Sequence, residues 1–208
     1  MTARKATCIQ SLKLIQPHLR VRIALGAWTF SDPGPAAINF RDITTSTQAQ
    51  DPFVSSLMKM MNTHGFDGLD LDWEHPVPKD RNGRGEDFKN FVTFTGRLRK
   101  QLNDKGMSKK GVSLTLPSSY WYPQHFNIEN LERSINWFNI ISYDIQGSWE
   151  IDHEPTGPWV NSHINSTEIQ QALHLVQRND IKLEKEVMGR PLKLFLEQWN
   201  LESMNLKC

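Results

Sequence analysis

The chain has 208 residues, enough for one sizeable hydrophobic core or two small ones. Charged residues make up 23% of it and nearly cancel, to a formal net charge of +1, which gives no general reason to expect nucleic acid or an anionic membrane as a partner. No apolar run is long enough to span a bilayer, and Met1-Thr2-Ala3-Arg4-Lys5 is not followed by the apolar core of a signal peptide, so the chain as written is expected in the cytoplasm.

Residues 21–28 read as a buried strand. Asp51-Pro52 opens a helix, with proline at a tolerated early position and Phe53, Leu57, Met60 and Met61 on one face; Gly65 ends it. Residues 66–73 form the next strand, and the Gly- and Pro-rich stretch 76–85 is a loop. Residues 86–103 read as a helix with Phe88, Phe91, Val92, Phe94, Thr95 and Leu98 clustered at helical spacing. Within it, Arg97-Leu98-Arg99-Lys100 reads as a solvated face, since no aromatics interleave it. Residues 112–116 are a short strand, 128–135 a short helix and 137–143 a further apolar strand. A long polar loop over 150–165 leads to a helix capped by Thr167, with Gln170 as capping-box partner and Ile169, Ala172, Leu173 and Val176 on its apolar face. A last short strand spans 186–188. Strands alternating with helices imply parallel pairing with right-handed crossovers. The near-continuous apolar strands imply a sheet covered on both faces, either a (β/α) barrel or a doubly wound open sheet. No glycine-rich phosphate loop follows the first strand. Cys8 and Cys208 lie near opposite ends without metal or redox spacing; they are read as free thiols, a disulfide requiring the termini to meet.

The most informative stretch is Asp67-Gly68-Leu69-Asp70-Leu71-Asp72-Trp73-Glu74. Alternate residues of a strand share a face, so Asp70, Asp72 and Glu74 point one way while Leu69, Leu71 and Trp73 point the other. Three carboxyls in a row on a buried strand cannot all ionise, and at least one must hold its proton toward neutral pH, as general acid catalysis requires. Glu74 lies at the strand's C-terminal end, where parallel barrels place their catalytic groups. A solvated edge strand is argued against by the apolar alternate residues. A calcium loop fails because its sixth and twelfth positions are His75 and Arg81 rather than Gly and Glu. A magnesium site on the same carboxylates is the alternative.

This octapeptide resembles the D-G-x-D-x-D-W-E signature of glycoside hydrolase family 18. The stretch from Ile23 to Asp32 is similar to the family's third strand, Leu116-Pro117-Ser118-Ser119-Tyr120-Trp121-Tyr122 to the end of the fifth in fungal members, and Ile141-Ser142-Tyr143-Asp144 to the M-x-Y-D motif of the sixth. The resemblance runs from about Leu19 to Gly189. It implies an α/β fold, a partial (β/α)8 TIM barrel of roughly strands 3 to 7, truncated at both ends, with residues 1–189 as catalytic barrel and 190–208 as a divergent tail. It implies a retaining, substrate-assisted chitinase with no metal or cofactor, Glu74 as proton donor, and Asp72 and Asp70 as its catalytic partners. Tyr143 and Asp144 would contact the sugar, with Trp121, Tyr122 and Trp149 as stacking candidates. The partners implied are chitin or N-acetylglucosamine oligosaccharides, with no nucleic acid or membrane. A lectin-like or inactive member of the same family is the alternative. Relatives are often secreted, which would make Asn165-Ser166-Thr167 a glycosylation sequon. The departures from the pattern include Ala24-Leu25-Gly26-Ala27 in place of S-x-G-G, Ile141 for the methionine, and His75 for the tyrosine that commonly follows the acid. The histidines as a group are read as structural or exposed.

Overall fold

The computed structural model describes residues 9, 11–118, 121–145, 162 and 164–189. Cys8, Cys208, Trp149, the tail 190–208 and nearly all of the expected loop 150–165 lie outside these residues. The strands are β1 (Arg22–Gly26), β2 (Gly68–Asp72), β3 (Gly111–Pro117), β4 (Trp137–Ile141) and β5 (Glu186–Met188). They form one parallel sheet in the order β1-β2-β3-β4-β5. A doubly wound sheet reverses its strand order; this one never does. Every strand is added on the same side of the one before it, which is the winding of a (β/α)8 barrel, and the described residues hold a five-strand arc of one.

Among the described residues, the helices that follow the strands are α1 (Asn39–Thr45), α2 (Thr47–His64), α3 (Asp87–Asp104), α4 (Ile128–Glu132) and α5 (Ser166–Gln177). No described helix is long and apolar enough to cross a membrane. The helices pack on one face of the sheet. Leu69 and Leu71 of β2, Leu114 and Leu116 of β3 and Phe138 and Ile140 of β4 are fully buried against Met61, Phe91, Phe94, Leu98, Leu102 and Leu131. Each such side chain contributes roughly 1.5–3 kcal/mol by leaving water. Trp73 belongs to this outer layer, stacked on Phe40 of α1 at 5.4 Å and edge-on to Phe91 of α3 at 5.3 Å. The apolar alternates of the acid-bearing strand thus anchor it to the helices and leave the carboxyls for the inner face.

Two sequence expectations shift, and one helix was not expected. Helix α2 begins at Thr47, where Ser46 caps it by accepting the Ala49 N–H at 3.2 Å, so Pro52 lies inside the helix rather than at its start. The carbonyl that Pro52 leaves unpaired belongs to exposed Gln48, within reach of water. Helix α5 is capped by Asn165, whose Oδ1 accepts the Thr167 N–H at 2.9 Å, not by Thr167. Helix α1 carries no expectation at all; only Phe40 and Thr44 of its seven residues are buried and its first turn has no side-chain cap.

Candidate active site

The site lies where β1 to β4 end. The register sets Gly26 beside Asp72 and Asp70 beside Ser113, with Asn139 beside Thr115. Gly26 adopts a φ of 118°, and a Cβ there would lie 1.8 Å from the Asp72 carbonyl oxygen. Only a residue without a side chain permits this approach of β1 to the carboxyl-bearing strand. Ala27 follows with a φ of 94°, unusual for a residue with a Cβ, and its N–H donates to the Asp72 carbonyl at 2.9 Å.

Asp70 sits deepest. Its Oδ1 accepts from the Ser113 hydroxyl at 2.6 Å and the Asn139 amide at 2.8 Å, and its Oδ2 from the Thr115 hydroxyl at 2.9 Å. Asp72 is the opposite case: its Oδ1 is buried and, among the described residues, has no hydrogen-bond partner. Burial pushes its carboxyl up to about 7, with the charges of Glu74 and then Asp70 adding to the effect. Glu74, two residues past the end of β2, is also raised, chiefly by burial; the positive charge of Arg81 and a backbone N–H of Trp28 hold it back. One carboxylate is thus saturated with donors, and above it lie two carboxyls biased toward keeping a proton.

Arg81 is itself buried, at 7% exposure. Its Nε donates to the Glu74 carbonyl at 3.0 Å, its Nη1 to Asp32 Oδ1 at 3.0 Å and its Nη2 to the Trp28 carbonyl. The guanidinium lies 3.8 Å from the centre of the Trp28 ring. The Glu74–His75 peptide bond is cis. The His75 ring is 1% exposed, with Nε2 3.8 Å from Glu74 Oε2. Burial, then Arg81 and His125, push it down to about 3, so it stands beside Glu74 as a neutral ring rather than an ion-pair partner.

Tyr143 follows β4, and its phenol is raised first by burial and then by the carboxyls of Asp72, Glu74, Asp144 and Asp70. Asp144 is exposed, with a left-handed φ of 52°. Tyr122 is half-buried and packs on the His75 ring at 4.1 Å. Trp121 projects into solvent, 62% exposed and edge-on to His125 at 5.7 Å. Of the sequence-predicted residues, the structure brings Asp70, Asp72, Glu74 and Tyr143 into one electrostatic group. Tyr122 joins the aromatic cluster beside Glu74, and Trp121 and Asp144 stand at the exposed rim. Sequence reasoning missed Ser113, Thr115, Asn139 and Arg81. The first three carry a period-two signal, polar residues alternating within apolar strands. Arg81 carries no local signal. Among the described residues, no group of three or more His, Cys, Asp or Glu is arranged to hold a metal ion.

Comparison with known proteins matches residues 3–196 to the family model described as glycosyl hydrolases family 18. The chain is similar to the killer toxin subunits alpha/beta of Kluyveromyces lactis, 31% identical over 170 residues, covering 80% of this chain and 14% of that one. It is similar to chitinase A1 of Niallia circulans, 30% identical over 148 residues, covering 68% of this chain and 20% of the relative. Among solved structures it resembles chitinase ChiA74 from Bacillus thuringiensis, with a TM-score of 0.76 and 25% identity over 90% of this chain and 31% of that chain. The chain therefore spans less than a third of each of these proteins.

Proposed function

The chain belongs to family 18 of the glycosyl hydrolases, and from that premise we propose that it carries the site of a retaining, substrate-assisted chitinase acting on β-1,4 N-acetylglucosamine linkages. The observation that supports this most is the buried, partnerless Oδ1 of Asp72 next to a raised Glu74. An unpaired buried acceptor is costly unless a ligand supplies a donor, and the N–H of a substrate's 2-acetamido group is such a donor.

In this reading Glu74 gives its proton to the glycosidic oxygen as that oxygen leaves the anomeric carbon. The acetamido carbonyl oxygen attacks the same carbon, forming an oxazolinium ion. Asp72 accepts the acetamido N–H and stabilises the positive charge that develops there. Asp70, held by Ser113, Thr115 and Asn139, fixes the carboxyl column and exchanges a proton with Asp72. Tyr143 donates to the acetamido oxygen, and Asp144 contacts the sugar. Water then gives a proton to Glu74 and its oxygen to the anomeric carbon, the bond to the acetamido oxygen breaks, and configuration is retained. Glycoside hydrolases of this family are known exceptions to the two-carboxylate scheme for this reason. Trp121 has the exposure that stacking on a sugar face requires; Tyr122 is more engaged with His75 than available to a ligand.

Hydrolysis of a chromogenic chitobioside tests the proposal, with Glu74→Gln as control. Turnover by the wild-type chain and its loss in the variant is the expected result; equal signal from both would reject Glu74 as the acid. A second reading, sugar binding without turnover, is favoured by one observation: Ala24, on the inner face of β1, is exposed, so the described residues do not wall that side of the site. Saturable binding of a chito-oligosaccharide with no product would select it.

A further inference from the structure

A buried arginine at the head of an acidic site is either a counter-ion or a structural fork, and Arg81 has the contacts of both. Its three donating groups each meet a different acceptor: the Glu74 carbonyl, Asp32 Oδ1 and the Trp28 carbonyl. Two of the three belong to the loop after β1, and the third is the backbone of the proposed acid itself. The Trp28 ring covers the guanidinium, and Asn82, the next residue, donates from its side chain to the Ser31 carbonyl at 2.9 Å. Residues 79–81 form a single turn of 3-10 helix closed by Asn82 in the left-handed region, which turns the loop back toward β1. Glu74 lies past the last ladder bond of β2, so no sheet pairing fixes its backbone. The Trp28 N–H reaches the Glu74 carboxyl, and Arg81 tethers the backbone behind it.

We propose that Arg81 is a positioning residue for catalysis: its guanidinium fork ties the backbone of Glu74 to the loop after β1 and so sets where the acid carboxyl stands above Asp72. This rests on the reading of Glu74 as proton donor and goes beyond it by giving the acid a dedicated support outside the signature strand. The planar fork is what the geometry uses. A lysine ammonium could meet one of the three acceptors well, and could not lie flat on Trp28 while doing so. Asp32 keeps the fork in register, and its exposed carboxylate lets it be altered without opening the core.

The charged and titratable groups around Glu74 are Asp72 on its own strand, His75 and Arg81 in the following loop, Tyr122 and His125 after β3, Tyr143 after β4, and Asp32 and Asp80 at the rim. Among them, Arg81 is the cation that lowers the proton affinity of Glu74. The positioning role and the charge therefore separate by experiment.

The test uses the full chain with Arg81→Gln, Arg81→Lys and Asp32→Asn, each checked for wild-type near-ultraviolet circular dichroism. Steady-state hydrolysis of a chitobioside is measured across pH, and the Glu74 side chain is titrated by carbon NMR, its signal assigned by its loss in Glu74→Gln. In Arg81→Gln, kcat falls on the order of 10- to 100-fold, as expected for a misplaced catalytic group, while KM stays within about twofold. The basic limb of the pH profile and the Glu74 midpoint both move to higher pH. Arg81→Lys restores the limb and the midpoint but not the rate, because it returns the charge and not the fork. Asp32→Asn lowers kcat less and moves the Glu74 midpoint down. A folded Arg81→Gln with wild-type kcat overturns the proposal, wherever its Glu74 midpoint lies. So does an equal, pH-independent loss in all three variants, which would mean a role in folding alone. If Arg81→Gln does not fold, Asp32→Asn with unchanged kcat and midpoint overturns it. If the wild-type chain shows no hydrolysis, the chitinase reading fails, and the carbon shift of Glu74 decides the positioning: displaced from wild type in both Arg81→Gln and Arg81→Lys supports it, restored by lysine overturns it.

Discussion

Replacing Asp72 with asparagine is expected to stabilise the fold while removing its activity. The Asp72 carboxyl is pushed from 3.8 to about 7 inside the protein. The folded protein therefore binds this proton more tightly than the unfolded chain does. Stability is greatest below the unfolded value, declines as the pH rises from about 4 to about 7, and stays low above that. A shift of roughly three units at about 1.4 kcal/mol each gives a penalty of about 4 kcal/mol for ionised Asp72 in the fold. Asparagine keeps the volume and never ionises. Asp72→Asn should thus be about 4 kcal/mol more stable than the wild-type chain at pH 8, and only about 1–2 kcal/mol more stable at pH 5. Urea unfolding of both proteins at the two pH values measures the difference. A gap that is the same at pH 5 and pH 8, or an asparagine variant less stable at pH 8, would refute the argument that burial and the neighbouring carboxyls hold Asp72 near neutrality.

Other outcomes follow from single contacts. Ala27→Gly should stabilise the protein by about 1–2 kcal/mol, since Ala27 holds a φ of 94° that glycine adopts freely; a higher melting temperature at unchanged activity is the readout. Asn139→Ala removes a 2.8 Å donor to Asp70 and should cost about 1.5–3 kcal/mol in urea unfolding and lower kcat more than it raises KM. Asn165→Ala should cost about 1 kcal/mol in the same unfolding assay by uncapping α5, with no effect on catalysis.

The strands and the acid column were legible because both are local patterns. Leu69, Leu71 and Trp73 alternate with Asp70, Asp72 and Glu74, and a strand turns that alternation into two faces without help from the rest of the chain. β5 matched to the residue, and α3 was nearly so because its apolar residues recur at helical spacing along its length. What escaped depends on distance. Arg81 sits in a polar loop, and its partners Asp32 and Trp28 lie 49 and 53 residues away. α1 has too few buried residues to show a period and is held by the stacking of Phe40 on Trp73. His75 was grouped with the structural or exposed histidines; only the fold shows that it is buried against Glu74. The starts of α2 and α5 were misplaced because proline at 52 and threonine at 167 are strong start signals, while Ser46 and Asn165 make the caps. The choice between barrel and doubly wound sheet was likewise open from pattern alone; the strand order decided it.

Chitin cleavage by this chain requires Glu74 to hand a proton to a linkage whose own acetamido group does the attacking. Proton NMR of the reducing ends released from a chito-oligosaccharide, recorded before mutarotation, tests this most directly. The predicted first product is the β anomer from the wild-type chain and none from Glu74→Gln. Initial release of the α anomer, the mark of a water attacking from the opposite face, would contradict it.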